Sequence, residues 1–260
     1  MSCLHKAFGP GTDFVNSCTN AYICGVADTA QTSSPARRRI PDAAVARLPV
    51  YLQILNTLIA NGTARLSSDQ LAALAGVNAA KVRKDLSYLG SYGTRGVGYD
   101  VAYLVYQIKR ELGQHHEWKV VVVGAGNLGN ALANYNGFST RGFPVAGVVD
   151  IDSTKVGKKV AGVIVRHVDD LPAIVREESV SIGVISTPPA SAQLAADLLV
   201  NAGIRSILNF ASVILNVPEN VSVRSVDLGV ELQILGYYEQ LSREDKPATK
   251  TKREVAAVCQ

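Results

Sequence analysis

VVVGAGNLGNALANY, residues Val121–Tyr135, follows one further valine, Val120, and runs from four β-branched residues through glycines into a helix-forming stretch. Alone, a G-x-G-x-x-G spacing says little. Here Gly124, Gly126 and Gly129 close an apolar strand and open a helix, the context in which the spacing acquires a mechanism. Gly124 permits the sharp turn, Gly126 lets a pyrophosphate approach the backbone, and Gly129 lets helix pack on strand. Free N–H groups at the helix start, in the loop that also holds Ala125, Asn127 and Leu128, can stabilise phosphates. Further on, Asp150 ends the next apolar run, where a carboxylate can accept both ribose hydroxyls of NAD and repel the extra phosphate of NADP. The reading is an NAD(H) site. Its alternatives are a tight turn that binds nothing, a flavin, or another nucleotide.

Outward from this turn, short apolar runs alternate with helical stretches. KVVVVGAG, FPVAGVVDID, SIGVIST, SILNFAS and VRSVDLG read as strands, and ASAQLAADLLVNAG as a helix between two of them. That alternation predicts a doubly wound parallel sheet of the α/β class. A last helix, VELQILGYYEQL, precedes the polar stretch SREDKPATKTKREV. A dehydrogenase also needs a group that moves a proton as hydride moves. Between Trp118 and Leu241 the only histidine is His167, in GVIVRHVDDL, which reads as lying outside the strand ends. No acid/base constellation and no room for a substrate domain are visible, so the expectation is a nicotinamide site without catalysis. An NAD-dependent oxidoreductase with an accessory helical domain is the rival.

Upstream the composition changes sign. The 260 residues carry a net charge of +4, with 47% hydrophobic and 18% charged residues, as in a soluble globular protein long enough for two domains. Residues 35–113 hold eleven Lys/Arg against five Asp/Glu, whereas residues 114–240 hold nine against twelve. The first half is therefore suited to a polyanion. Leu48, Tyr51, Leu52, Leu55, Leu58 and Ile59 repeat at helical spacing, ending at Asn61-Gly62, with Pro49 imposing a kink or late start. Ser67 or Ser68 can cap a helix through Ala75, Gly76 makes a turn, and Asn78 can cap another to about Leu89. Leu71, Leu74, Val77, Val82 and Leu86 supply the seam between them. This is a helix-turn-helix, its second helix offering Lys81, Arg83, Lys84 and Ser87 to base edges and phosphates. Asn78 and Arg47 are counted with these DNA contacts. The glycine-rich GSYGTRGVGYD reads as a wing bearing Tyr92 and Arg95, and residues 101–112 as a helix. The bland alternative is a solvated helix face that binds nothing.

The ends add less. Residues 1–34 and 242–260 lack periodicity and are expected to be disordered, bracketing a winged-helix domain at 35–113 and an NAD(H)-binding domain at 114–241. Cys3, Cys18, Cys24 and Cys259 all lie in those ends, at spacings that do not suggest zinc, and no metal is expected. With no run of eighteen apolar residues and no signal-peptide pattern, the expected location is cytoplasmic.

Taken together, RLPVYLQIL, KVRKDLSYLGSYGTRGVGYDV, VVVGAGNLGNALANY, STPPASAQ, ILNFAS and VDLGVELQIL resemble the Rex family of redox-sensing transcriptional repressors, from Ile40 to Gln240. The resemblance implies a homodimer on a palindromic operator, holding DNA when NAD⁺ dominates and releasing it when NADH rises. Regulated genes in the family belong to respiration and fermentation. It implies exchange of the C-terminal helix, about Val230 to Leu241, between subunits. It also places Thr187 and Pro188 near the cofactor, Asn209 and Phe210 at the nicotinamide end, and Tyr135 and Asp227 in a redox-sensing pair. Three positions depart from the family pattern. Gln53 stands where an Arg able to pair with the Asp227 carboxylate across the dimer is usual, some members have Phe at Leu228, and Ser212 replaces a common Pro.

Overall fold

A proline has no backbone N–H to give, so it is tolerated where a helix needs none. In the computed structural model, which describes residues 40–90, 93–94 and 97–244, a short helix α1 (Asp42–Val45) breaks off and α2 (Leu48–Ala60) starts with Pro49 in its first turn. That is the late start expected. The N-terminal extension, Tyr92, Arg95 and nearly all of the tail lie outside the described residues. From α2, Leu48, Tyr51, Leu52 and Leu55 turn inward, whereas Ile59 stays exposed.

After β1 (Arg65–Leu66), Ser67 caps α3 (Ser68–Ala75) in a reciprocal box: its hydroxyl accepts from the Gln70 N–H at 3.1 Å, and Gln70 Oε1 accepts from the Ser67 N–H at 2.7 Å. Gly76 ends the helix at φ 65°, a left-handed conformation suited to glycine. Asn78 then caps α4 (Ala79–Ser87) by accepting from the Lys81 N–H at 2.8 Å. Leu71, Ala72, Val82 and Leu86 form the buried seam. Leu74, expected there, is exposed, because the packed face runs through Leu71 and Ala72, round the helix from it.

The glycine-rich segment forms the expected hairpin, β2 (Gly93–Thr94) antiparallel to β3 (Gly98–Asp100), and β3 also pairs with β1. Asp100 caps α5 (Val101–Glu111), which buries Leu104, Val105 and Ile108 and packs on α2. By length and apolarity Asp42–Ala60 is sufficient to cross a membrane. Its inward leucines and its packing on α5 are those of a core helix, and the same test admits core helices of soluble proteins.

The four valines form β4 (Val120–Val123), buried on both faces as a central parallel strand requires. There follow α6 (Asn127–Ala133), α7 (Asn136–Ser139), β5 (Val145–Asp150), β6 (Lys159–Val160), β7 (Val163–His167), α8 (Leu171–Glu177), β8 (Ile182–Ile185), α9 (Pro189–Asn201), β9 (Ser206–Asn209) and β10 (Ser222–Ser225). The sheet order is β10-β9-β8-β4-β5-β7-β6, parallel except for β6 against β7. Val121, Val149, Ile185 and Leu199 pack in one core, and Val120, Val122, Val148 and Val184 in another, as in a sheet covered on both faces. The order reverses between β4 and β8, so the connections leaving their carboxyl ends diverge and open a crevice.

The sheet edge at β6 and β7 and the final helix differ from expectation. β6 and β7 were not foreseen, and His167 is the last residue of β7, in register with Asp150, rather than outside a strand end. The final helix α10 (Leu228–Glu244) continues past Leu241 into the expected tail, and none of its residues is buried.

Candidate functional site

A cavity of about 540 Å³ lies at the reversal point, lined by Gly124, Gly126, Asp150, Ser186, Thr187 and Pro188 among others. Asn127 and Leu128 also line it. Gly124 adopts φ 107°, which side-chain-bearing residues rarely reach. A Cβ on Gly129 would overlap the Gly124 carbonyl oxygen and stand 2.7 Å from Ser186 Oγ. A Cβ on Gly126 would meet no protein atom within 4 Å; its open side belongs to the cavity. The turn is also held from β8: Ser186 Oγ lies 2.9 Å from the Gly124 carbonyl and 3.1 Å from that of Val123.

Asp150 is buried and braces this turn. Its Oδ2 accepts from the Ala125 N–H at 2.6 Å and from Lys155 Nζ at 3.0 Å, and its Oδ1 accepts from the Asp152 N–H at 2.9 Å. Burial alone would raise its pKa, but the backbone and Lys155 hydrogen bonds outweigh it and hold the carboxyl below its ordinary value. Lys155, also 3.8 Å from Asp152 Oδ2, was missed in the sequence. Its only sequence signal is the spacing in DIDSTK, five residues after Asp150. Ile151 and Leu194 bring exposed apolar side chains to the same cavity. Thr187 Oγ1 is buried without a hydrogen-bond partner among the described residues, a polar atom left for an occupant.

The residues expected at the far end are arranged differently. Asn209 is wholly buried and its amide folds its own loop, donating to the Ala211 and Val213 carbonyls at 3.0 Å each and accepting from the Ala211 N–H at 2.9 Å. Phe210 packs against the core. Tyr135 is about half exposed, its ring edge-on to Phe138 at 5.3 Å. Asp227 starts α10, accepting from the Gly229 and Val230 N–H groups at 2.8 and 3.3 Å. A hydrogen bond from the Ser212 hydroxyl, then that from Gly229, holds its carboxyl below the ordinary range. Gln53 is exposed on α2. Among the described residues no hydrogen bond or ion pair joins Tyr135, Asp227 and Gln53 within the chain.

On the helix-turn-helix, Lys81, Arg83, Lys84 and Ser87 are exposed along α4. Arg83 Nη1 donates to Ser68 Oγ at 2.9 Å, and the Ser87 hydroxyl to the Lys84 carbonyl at 2.7 Å. The Asn78 side chain is committed to its cap. Arg47 corrects the sequence reading. Its Nε and Nη2 donate to the buried Asp85 at 2.6 and 2.7 Å, and Tyr51 donates to the same carboxylate at 2.8 Å. One edge of the guanidinium thus holds the start of α2 to α4.

Family models match both regions: residues 115–213 fit "CoA binding domain" and residues 39–87 fit "Putative DNA-binding protein N-terminus". The redox-sensing transcriptional repressor Rex of Streptomyces coelicolor is 58% identical over 222 residues, covering 85% of this chain and 86% of that one. The Thermus thermophilus protein of the same name is 49% identical over 199 residues, covering 76% and 93%. Among solved structures, the Rex-family repressor RSP in complex with β-NAD⁺ and operator DNA superposes with a TM-score of 0.73 at 35% identity, covering 81% of this chain and 99% of that one. RSP in complex with β-NADH gives 0.70 at 34%, covering 79% and 98%. With identity and coverage at this level across both halves, the chain belongs to the Rex family of redox-sensing transcriptional repressors.

Proposed function

We propose that this protein is a redox-sensing repressor that holds a palindromic operator as a homodimer and lets it go when NADH occupies the cleft of each subunit. Residues 35–113 act as the winged-helix DNA-binding domain and residues 114–241 as the NAD(H)-binding domain. The observation that carries the reading is the pairing, on one chain, of a strand-reversal cleft built on Gly124, Gly126 and Gly129 with an exposed basic helix α4. In the cleft, the amides of Asn127 and Leu128 face the pyrophosphate, while that of Ala125 donates to Asp150 and fixes the turn; Asp150 with Lys155 holds the adenosine ribose, and Thr187 and Pro188 border the cofactor. Asn209 and Phe210 shape the loop at the nicotinamide end. On DNA, Lys81, Arg83, Lys84 and Ser87 enter the major groove, and Tyr92 and Arg95 extend from the wing.

NAD⁺ and NADH differ by a hydride and one positive charge on the ring. The nicotinamide is sensed, not consumed: a site that favours one ring form in one dimer shape suffices, and equal affinity for both shapes would shift nothing. NADH closes the nucleotide-binding pair and carries the two recognition helices out of register with successive major grooves. The exchanged α10 brings Asp227 toward Tyr135 and Gln53. Gln53 can hydrogen-bond there but cannot supply a charge-assisted pair. Such a repressor works in the cytoplasm, where the chromosome and the nicotinamide pool meet. The test is an operator mobility shift with and without NADH, beside calorimetry with NADH, NADPH, a flavin nucleotide and coenzyme A. NADH alone should bind tightly and release DNA. Turnover of nicotinamide with a carbonyl substrate would favour the oxidoreductase instead.

A further inference from the structure

A second cavity, about 490 Å³, lies beside α4, and of the side chains given a function above only Arg83 lines it. Its walls come from β1, the start of α3, α4 and the hairpin, and include Arg65, Ser68, Asp69, Arg83, Gly93 and Tyr99. Arg83 is fixed at this wall by the buried Ser68, whose hydroxyl accepts from Nη1 at 2.9 Å. Arg65 is exposed and makes no ion pair among the described residues. Gly93 has no side chain, and a Cβ there would stand 2.7 Å from the Tyr99 ring, so the missing methyl is what lets the ring lie against the hairpin. The start of α3 does not by itself make this a site, and the Ser67–Gln70 box already takes up the Ser67 and Gln70 amides.

Two guanidinium forks and a phenol hydroxyl are donors matched to an oxyanion with several acceptor oxygens. Asp69 offsets one of the two positive charges, leaving a single net charge. That balance suits a phosphodiester better than a doubly charged phosphate monoester. Contacts to backbone phosphate set the position of a reading helix on a duplex without specifying sequence. We propose that this cavity is a phosphate clamp, in which Arg65, with Arg83 and Tyr99, grips one backbone phosphodiester of the DNA whose groove α4 enters. The clamp rests on the DNA-binding reading above.

The test compares wild type, Arg65→Ala and Arg65→Lys as full chains, with folding checked by thermal melting. The probes are a duplex selected by the wild-type chain from a random library and an unrelated duplex, each titrated across a salt series. Arg65→Ala should reduce the slope of log K against log salt by about 1 and weaken binding about eightfold near 0.1 M salt, equally on both duplexes. Arg65→Lys should keep the slope. Unchanged slope and affinity in a folded Arg65→Ala chain overturn the clamp alone, and a loss confined to the selected duplex overturns it by making Arg65 a base reader. A wild-type chain that enriches no duplex from the library and does not bind the unrelated one overturns the clamp together with the DNA-binding reading. Exchanging chloride for inorganic phosphate at equal ionic strength should affect wild type and variant alike. A phosphate effect that vanishes in Arg65→Ala would assign the cavity to a free anion and overturn the proposal.

Discussion

A methyl group at position 129 would overlap the Gly124 carbonyl oxygen, a backbone atom with little freedom to move aside. Forcing an extra methyl into packed structure costs about 1–3 kcal/mol. Gly129→Ala should therefore weaken NADH binding by roughly tenfold or more in calorimetry, leaving a protein that binds operator but ignores the cofactor. Arg47 presents the opposite case, a charged residue whose work is structural. Asp85 is almost fully enclosed, and burial alone would raise its pKa; the Arg47 and Tyr51 hydrogen bonds outweigh this and lower it. Burial and the Asp85 hydrogen bond push the Tyr51 hydroxyl up to about 12. Arg47→Ala leaves a buried carboxylate short of its partner and should cost about 3 kcal/mol in urea denaturation. A depressed carboxyl stabilises the fold above the ordinary carboxylate range, and that contribution fades as pH falls through the folded value. The raised tyrosine contributes below about pH 10 and loses its contribution as pH climbs through the folded value. Wild type should thus lose stability toward acid by an increment missing in Asp85→Asn, and equal acid profiles would count against the network.

Among the elements, α10 demands explanation first. Its 17 residues include Leu232, Ile234, Leu235, Tyr237 and Tyr238, all exposed, and nothing among the described residues covers them. A helix so apolar is suited to a partner surface, and the exchange between subunits proposed above would supply one. Leu232→Asp with Leu235→Asp should yield a monomer in sedimentation that has lost tight operator binding; a stable dimer would show that α10 does not hold the pair. The other elements differ in how openly the sequence announced them. The caps of α3 and α4 were legible because Ser67, Gly76 and Asn78 act on backbone within three or four residues. The glycine turn was legible because each glycine answers a local steric demand. β7 was not, since it is a short strand flanked only by the two-residue β6 on its outer side, and its polar Arg166 and His167 interrupt the apolar pattern. Leu74 and Ile59 repeat at helical spacing yet stay exposed, because periodicity marks a face without naming what packs on it. Arg47 was misjudged and Lys155 missed for different reasons. Arg47 meets Asp85 only after the chain has folded back, and Lys155, though five residues from Asp150, reaches it across a turn whose shape the spacing does not state.

For the whole molecule the account makes a thermodynamic claim: NADH binds one dimer shape better than the other, and DNA prefers the shape NADH disfavours. A hundredfold difference corresponds to about 2.7 kcal/mol of coupling, within the ordinary allosteric range. The coupling is reciprocal, so operator should lower NADH affinity by the factor by which NADH lowers operator affinity. The decisive measurement is operator affinity at fixed total nicotinamide cofactor while the NADH fraction is raised from zero to one. The account predicts a steady fall in affinity, on the order of a hundredfold for the coupling above. Affinity that stays flat across the whole range, with NADH demonstrably bound, would contradict it.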